Sequence, residues 1–140
     1  MSETIHACCV AIDGRGVLIA GPSGSGKSDL ALRLLDRGAV LVSDDYTILE
    51  ARDGRLFAAP PATIAGKLEI RGVGIVERSF AAKVPVALLI DVASPPERMP
   101  EVGGRTIDGL ALPSVALAAL EASAPIKVEA ALRLHGLAFS

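Results

Sequence analysis

The sequence predicts an α/β domain, and three observations carry that prediction. An apolar, β-branched stretch runs directly into a Gly/Ser-rich loop, an amphipathic helix follows the loop, and a second apolar stretch follows the helix. At 140 residues the chain is long enough for one domain with a real core and too short for two.

Residues 4–12 (TIHACCVAI) and 15–20 (RGVLIA) read as two short strands, with Asp13-Gly14 between them as a hairpin turn. Residues 21–26 (GPSGSG) hold too much Gly, Ser and Pro to form an element. From Lys27 to Arg37, Leu30, Ala31, Leu34 and Leu35 fall on one helical face, and Gly38 stands where a C-terminal cap belongs. AVLVS (39–43) then reads as a buried strand. Residues 46–51 and 55–59, joined by RDGR, read as a second hairpin. PPATIAGKLEIRGVG (60–74), with Pro at its front and three glycines, reads as a long ordered loop around one helical turn. VPVALLIDV (84–92) is the most strand-like stretch, and 94–104 is a connector. Residues 112–123 read as a helix with Pro near its start, and 126–134 as a terminal helix. No repeat, low-complexity tract or linker divides these elements, so 1–140 read as one domain.

Composition excludes several classes of function. Hydrophobic residues make up 51% and charged residues 21%, which rules out a disordered chain. A net charge of −2 argues against a protein built to grip nucleic-acid phosphates. With three Phe, one Tyr and no Trp, the core must be aliphatic and bases have few rings to stack on. Cys8 and Cys9 are adjacent and cannot bridge each other without strain, and no His/Cys cluster offers a metal site. The N-terminus lacks the basic and apolar regions of a signal peptide. No uncharged apolar run approaches the roughly 18 residues of a membrane span. The expectation is a cytoplasmic protein with neither membrane nor nucleic acid as partner.

The motif that carries chemistry is Gly21-Pro22-Ser23-Gly24-Ser25-Gly26-Lys27-Ser28, a full match to G-x-x-x-x-G-K-[ST]. Glycines let the backbone close round a phosphate with successive N–H groups pointing inward. The positive end of the following helix faces the same anion. Lys27 can reach β- and γ-phosphates, and the Ser28 hydroxyl is placed to ligate Mg²⁺. A strand before and a helix after supply the context the motif requires.

Such a loop wants a carboxylate at the end of a neighbouring strand. Asp44 and Asp45 end one apolar run, and Asp91 ends another. Asp91 fits the run-plus-Asp pattern better, whereas adjacent acids can divide metal binding and proton transfer between them. Either site also reads as a helix cap or a solvated turn. His6, alone in a strand, is more often a half-buried, hydrogen-bonded side chain than a catalytic one. Glu69 and Arg71 flank a Gly-rich turn; a metal ligand and a phosphate partner is one reading, an ordinary surface pair the commoner one.

Taken together, His6, the run GPSGSGKSDLALRLLDRGAVLVSDD and the stretch KLEIRGVGIVE resemble the catalytic domain of HPr kinase/phosphorylase, the bacterial enzyme that acts on a serine of the phosphocarrier HPr. The resemblance runs from about residue 6 to about residue 92. It implies an α/β P-loop kinase domain similar to that of phosphoenolpyruvate carboxykinase, a mixed sheet with flanking helices. It further implies that Gly21 to Ser28 bind the phosphates of ATP, or of pyrophosphate, and that Ser28 and Glu69 hold Mg²⁺. Lys27 would stabilise the transferring group, Asp45 with Asp44 beside it would exchange the proton of the acceptor serine, and His6 would sit against the acid pair. Residues 68–77, with Arg71 and Gly72, would shape the catalytic loop. The implied partner is an HPr-type phosphocarrier, and the implied assembly a homo-oligomer, a hexamer in the family. Only five residues precede His6, so a short single-domain form is expected. The family's later loop has no residue-by-residue counterpart in 109–132, so kinase activity carries over and phosphorolysis stays open. Two other readings stand beside this one: a small-molecule kinase, and a nucleotide-sensing module that transfers nothing. With so few aromatics, nucleotide affinity should rest on phosphates and metal rather than on the base.

Overall fold

A computed structural model describes residues 2–98 and 103–139. In chain order the strands are β1 (Ser2–Ile5), β2 (Ala7–Ile12) and β3 (Arg15–Ala20), then helix α1 (Lys27–Asp36) and β4 (Val40–Ser43). There follow β5 (Thr47–Arg52), β6 (Arg55–Ala59), β7 (Lys67–Ile70), β8 (Gly74–Glu77) and β9 (Val84–Asp91). Finally come β10 (Gly103–Ile107), β11 (Leu110–Ala116) and helix α2 (Ala124–His135). The fold is the mixed α/β architecture expected. Neither helix is long and apolar enough to cross a membrane.

β9 organises the sheet. It runs parallel to β3 along one edge, and along the other it meets β6 antiparallel and then β11 parallel. β3 pairs with β2 antiparallel, and β2 pairs with β4 antiparallel. The order across this part is therefore β11, β9, β3, β2, β4. Because β2 alone runs the other way, the C-terminal ends of β3, β4, β9 and β11 and the start of β2 share one edge of the sheet. In open α/β sheets that edge is where ligands bind. The wing β1-β5-β6 curls away from it, paired antiparallel throughout.

Each face of the sheet is covered. Val10, Val17, Ile19, Leu88 and Ile90 pack beneath both helices, against Leu30 and Leu34 of α1 and Val128 and Leu132 of α2. On the other face Cys9, Leu18, Val42 and Leu89 pack against Leu49, Leu56 and Leu112. All of these are aliphatic or thiol side chains, as the scarcity of aromatics requires.

Five expectations are corrected. The strand read as 4–12 breaks at His6, because β1 pairs with β5 while β2 pairs with β3 and β4. The loop read over 60–74 contains β7, which forms a hairpin with β8, and turns replace the helical turn. The helix read over 112–123 does not form: 112–116 belong to β11 and 117–123 are loop and turn, with Asp108-Gly109 turning the chain from β10 into β11, which then joins β9. The connector read over 94–104 ends in β10, and its residues 99–102 lie outside the described part. The terminal helix is longer than 126–134, with Pro125 in its first turn.

Leu68 anchors the β7–β8 hairpin by inserting, fully buried, into the layer beneath α1. Leu68→Ala should therefore cost about 2–5 kcal/mol of stability, the usual range for emptying a buried leucine site. Arg71→Ala, on the exposed turn of the same hairpin, should cost less than about 0.5 kcal/mol. Urea denaturation of the two variants checks this, and equal costs would contradict the anchoring role of Leu68.

Candidate active site

The glycine-rich loop leaves β3 at the shared edge and enters α1 at Lys27. A side chain at Gly21 has no room: a Cβ there would lie 2.7 Å from Val92 Cγ2 and 2.9 Å from Ser25 Oγ. Gly26 caps α1 with φ 95°, a left-handed conformation that other residues adopt only under strain. The loop encloses two polar groups with spare hydrogen-bonding capacity among the described residues. Lys27 is 5% exposed, and among the described residues its ammonium bonds only the Pro22 carbonyl, at 3.0 Å. Ser25 Oγ is buried with no partner among those residues. A buried ammonium and a buried hydroxyl in one loop, with no carboxylate in ion-pair distance of Lys27 among the described residues, fit an anion in that loop.

Ser28, the last motif residue, lies on the first turn of α1 and donates to Asp44 Oδ1 at 2.7 Å. Asp44 follows β4 and is 7% exposed. Its second oxygen accepts the backbone N–H of Glu69 at 3.0 Å, so β7 closes over it from the far side. Asp45 turns the other way. Tyr46 N–H donates to the Asp44 carbonyl at 2.7 Å, closing a γ-turn with Asp45 at its centre and φ 67°. Such a φ is strained for a residue other than glycine. It is held by the Ser43 hydroxyl bonding the Tyr46 carbonyl and by Thr47 Oγ1 donating to the Ala7 carbonyl. The turn leaves the Asp45 side chain 52% exposed, bonded to His6 Nε2 at 2.7 Å. The His6 ring in turn stacks on Tyr46, with centroids 5.0 Å apart.

The structure thus brings His6, Lys27, Ser28, Asp44 and Asp45 to one place. Glu69 arrives there through its backbone, while its side chain is exposed. Arg71 and Gly72 lie on the exposed turn between β7 and β8, with Gly72 at φ 85°. Asp91, the rival carboxylate, is occupied elsewhere. It accepts the N–H groups of Ala93 and Ser94 and the Ser94 hydroxyl. Partial burial pushes its acidity toward a higher pKa, but those hydrogen bonds and the charge of Arg105 prevail and hold it below the usual carboxylate value. It caps its own loop.

One member of the cluster was not legible as such. Cys8 donates its thiol to Asp44 Oδ1 at 3.3 Å and accepts the backbone N–H of Asp45 at 3.3 Å. Its sulfur lies 3.8 Å from Ser28 Oγ. The sequence carries no signal for it, because the chain bends at His6 and the two residues do not share one strand. Among the described residues no three His, Cys, Asp or Glu side chains gather as a ready metal cage. Ser28 and Asp44 supply the hard oxygen donors that suit Mg²⁺, which takes one or two such groups and completes its shell from phosphate and water.

Burial pushes the Cys8 thiol up to about 12 from the ordinary 9.0, with the charge of Asp44 adding to the shift against the bond from Asp45 N–H. Burial, with Cys8 beside it, raises Cys9 as well. The folded chain therefore keeps thiol protons that the unfolded chain releases, and stability is complete below about pH 9 and falls as pH rises toward 12. Urea midpoints should decline across that window, and Ellman's reagent should leave both thiols intact at about pH 8 until the chain unfolds. Rapid native-state labelling of Cys8 would contradict its burial.

Comparison with known proteins places the chain in a family. Residues 1–84 match the family model for the HPr Serine kinase C-terminal domain. The chain is 42% identical over 73 residues to an HPr kinase/phosphorylase of Clostridium botulinum, covering 52% of this chain and 24% of that protein. It is 48% identical over 75 residues to the HPr kinase/phosphorylase of Streptococcus thermophilus, covering 53% of this chain and 24% of the relative. The chain thus spans about a quarter of the length of these curated relatives. Among solved structures, the Hpr(Ser) kinase/phosphatase from Coxiella burnetii superposes with a TM-score of 0.82 at 30% identity, over 95% of this chain and 90% of that one. With 84 of its 140 residues inside the family match, Gly21 to Ser28 and the Asp44–Asp45 pair among them, the chain belongs to the HPr Serine kinase C-terminal domain family.

Proposed function

We propose that residues 1–140 form a single catalytic unit that transfers the γ-phosphoryl group of ATP to a serine of an HPr-type phosphocarrier protein. The observation that carries this reading is the Ser28–Asp44 hydrogen bond with an exposed Asp45 immediately beside it. It joins a phosphate-binding loop to a carboxylate that a second macromolecule can reach. A small-molecule kinase would be expected to enclose its acceptor, and a sensor has no use for a base.

The roles follow from position. Backbone N–H groups of Gly21 to Ser28 and the α1 N-terminus would receive the phosphates, and pyrophosphate would suit the same loop. Lys27 would turn its ammonium from the Pro22 carbonyl to the transferring group, where charge is spread over peripheral oxygens. Ser28 and Glu69 would hold Mg²⁺, with Asp44 against Ser28, and the ion would supply charge neutralisation there. Asp45 would accept the proton of the incoming serine hydroxyl, and His6 would hold that carboxylate toward the acceptor. In the reverse direction Asp45 would return the proton, so phosphorolysis is compatible with the same residues.

The test is transfer of label from γ-labelled ATP, with Mg²⁺, to a purified HPr-type protein. Serine-linked label should appear, fall by at least about 100-fold in Asp45→Asn as for loss of a general base, and be essentially absent in Lys27→Ala. Label on neither the protein nor a small acceptor, despite nucleotide binding, would contradict the kinase reading and leave the sensor. Undiminished label in Lys27→Ala would contradict the assignment of the phosphate loop.

A further inference from the structure

We infer that the loop between β11 and α2 forms the nucleoside side of the phosphate site, with Leu120 as an apolar seat for the ribose and base of a nucleoside triphosphate. This rests on the phosphate-site reading above and adds a subsite to it.

Strand order sets the direction. Asp44 and Asp45 follow β4, on one side of the loop that leaves β3. If the reacting end of a triphosphate lies by the acid pair, its nucleoside must leave toward the opposite side. That side belongs to β9 and β11, whose C-terminal ends share the same edge. The chain leaves β11 there, tied by the Leu117 N–H to the Asp91 carbonyl at 3.0 Å.

The loop that follows is built against the phosphate loop. A Cβ on Gly26 would lie 3.0 Å from Leu120 Cδ2 and 3.1 Å from Ala119 Cβ, so these two side chains rest directly on that glycine. Even so, Leu120 is 73% exposed. An exposed leucine is ordinary on a mobile tip, but this one is clamped on both sides. Arg33 of α1 donates to the carbonyls of Ala119 and Glu121, and its Nε is bonded to Asp29 at 3.0 Å. Lys127 pairs with Glu121 at 3.2 Å. The clamp orders the backbone on either side of Leu120, which keeps one methyl against Gly26 and stays largely exposed beside the phosphate loop.

A leucine offers no donor or acceptor to the edge of a base. The subsite therefore adds affinity for a nucleoside without choosing among bases, as expected for a chain with so few aromatic rings.

Calorimetric titration of ATP, GTP and inorganic tripolyphosphate into the unaltered chain, Leu120→Ser and Leu120→Met separates the subsite from the phosphate loop. Leu120→Ser should weaken ATP and GTP alike by about fivefold, the worth of partly covering one leucine, while tripolyphosphate stays within about twofold. Leu120→Met should restore ATP binding. Unchanged ATP affinity in Leu120→Ser, or an equal loss for tripolyphosphate, would overturn the inference. Failure of the unaltered chain to bind tripolyphosphate would instead overturn the phosphate-site reading, and this subsite with it.

Discussion

The hydrogen bond between Ser28 and Asp44 is the constraint around which the rest of the site is arranged. It joins the first turn of α1, which follows β3, to the turn after β4, and it forms only if those strands end at the same height. The sheet provides this by placing β3 and β4 on either side of the oppositely directed β2. The same reversal brings the start of β2, with His6 and Cys8, to the edge where the other strands end. Topology does most of the positioning before any side chain is chosen.

Two adjacent carboxylates acquire different surroundings from one backbone feature. The γ-turn at Asp45 sends the two side chains apart, one inward to Ser28, Cys8 and the N–H of Glu69, the other outward to His6. An inward carboxylate that receives hydrogen bonds suits a fixed structural or metal-directed task. An outward one beside an imidazole suits exchange of a proton with a partner. Cys8, held neutral by burial, can bond Asp44 without adding a third negative charge to the cluster. A strained φ at Asp45 is acceptable because the segment from Ser43 to Thr47 is bonded at both ends.

What the sequence made legible was mostly local. The glycine-rich loop, the helix after it and the double Asp are contiguous, and each signal has a period or composition of its own. The β10–β11 hairpin was hidden because Leu112 and Val115 are three apart, a spacing that a helix would gather onto one face. A strand puts them on two, and here Leu112 enters one core layer and Val115 the other. Pairing with β9 outweighs the helical propensity of an Ala- and Leu-rich run. The β7–β8 hairpin was masked by its brevity, two four-residue strands among glycines that read as a loop. The contact that Glu69 makes in the fold was hidden for a related reason: its backbone N–H, which sequence patterns do not reveal, is what reaches Asp44. Cys8 carried no motif at all, and only the pairing of β2 with β3 and β4 brings it between Ser28 and Asp44.

The central claim is that the phosphate loop and the acid pair work as one unit through the Ser28–Asp44 bond. A double-mutant cycle on the rate of phosphoryl transfer, with Ser28→Ala, Asp44→Asn and the pair together, tests it most directly. The double variant should be about as slow as the slower single one, because either change already breaks the shared contact. Additive losses, with each change reducing the rate by the same factor whether or not the other is present, would contradict it.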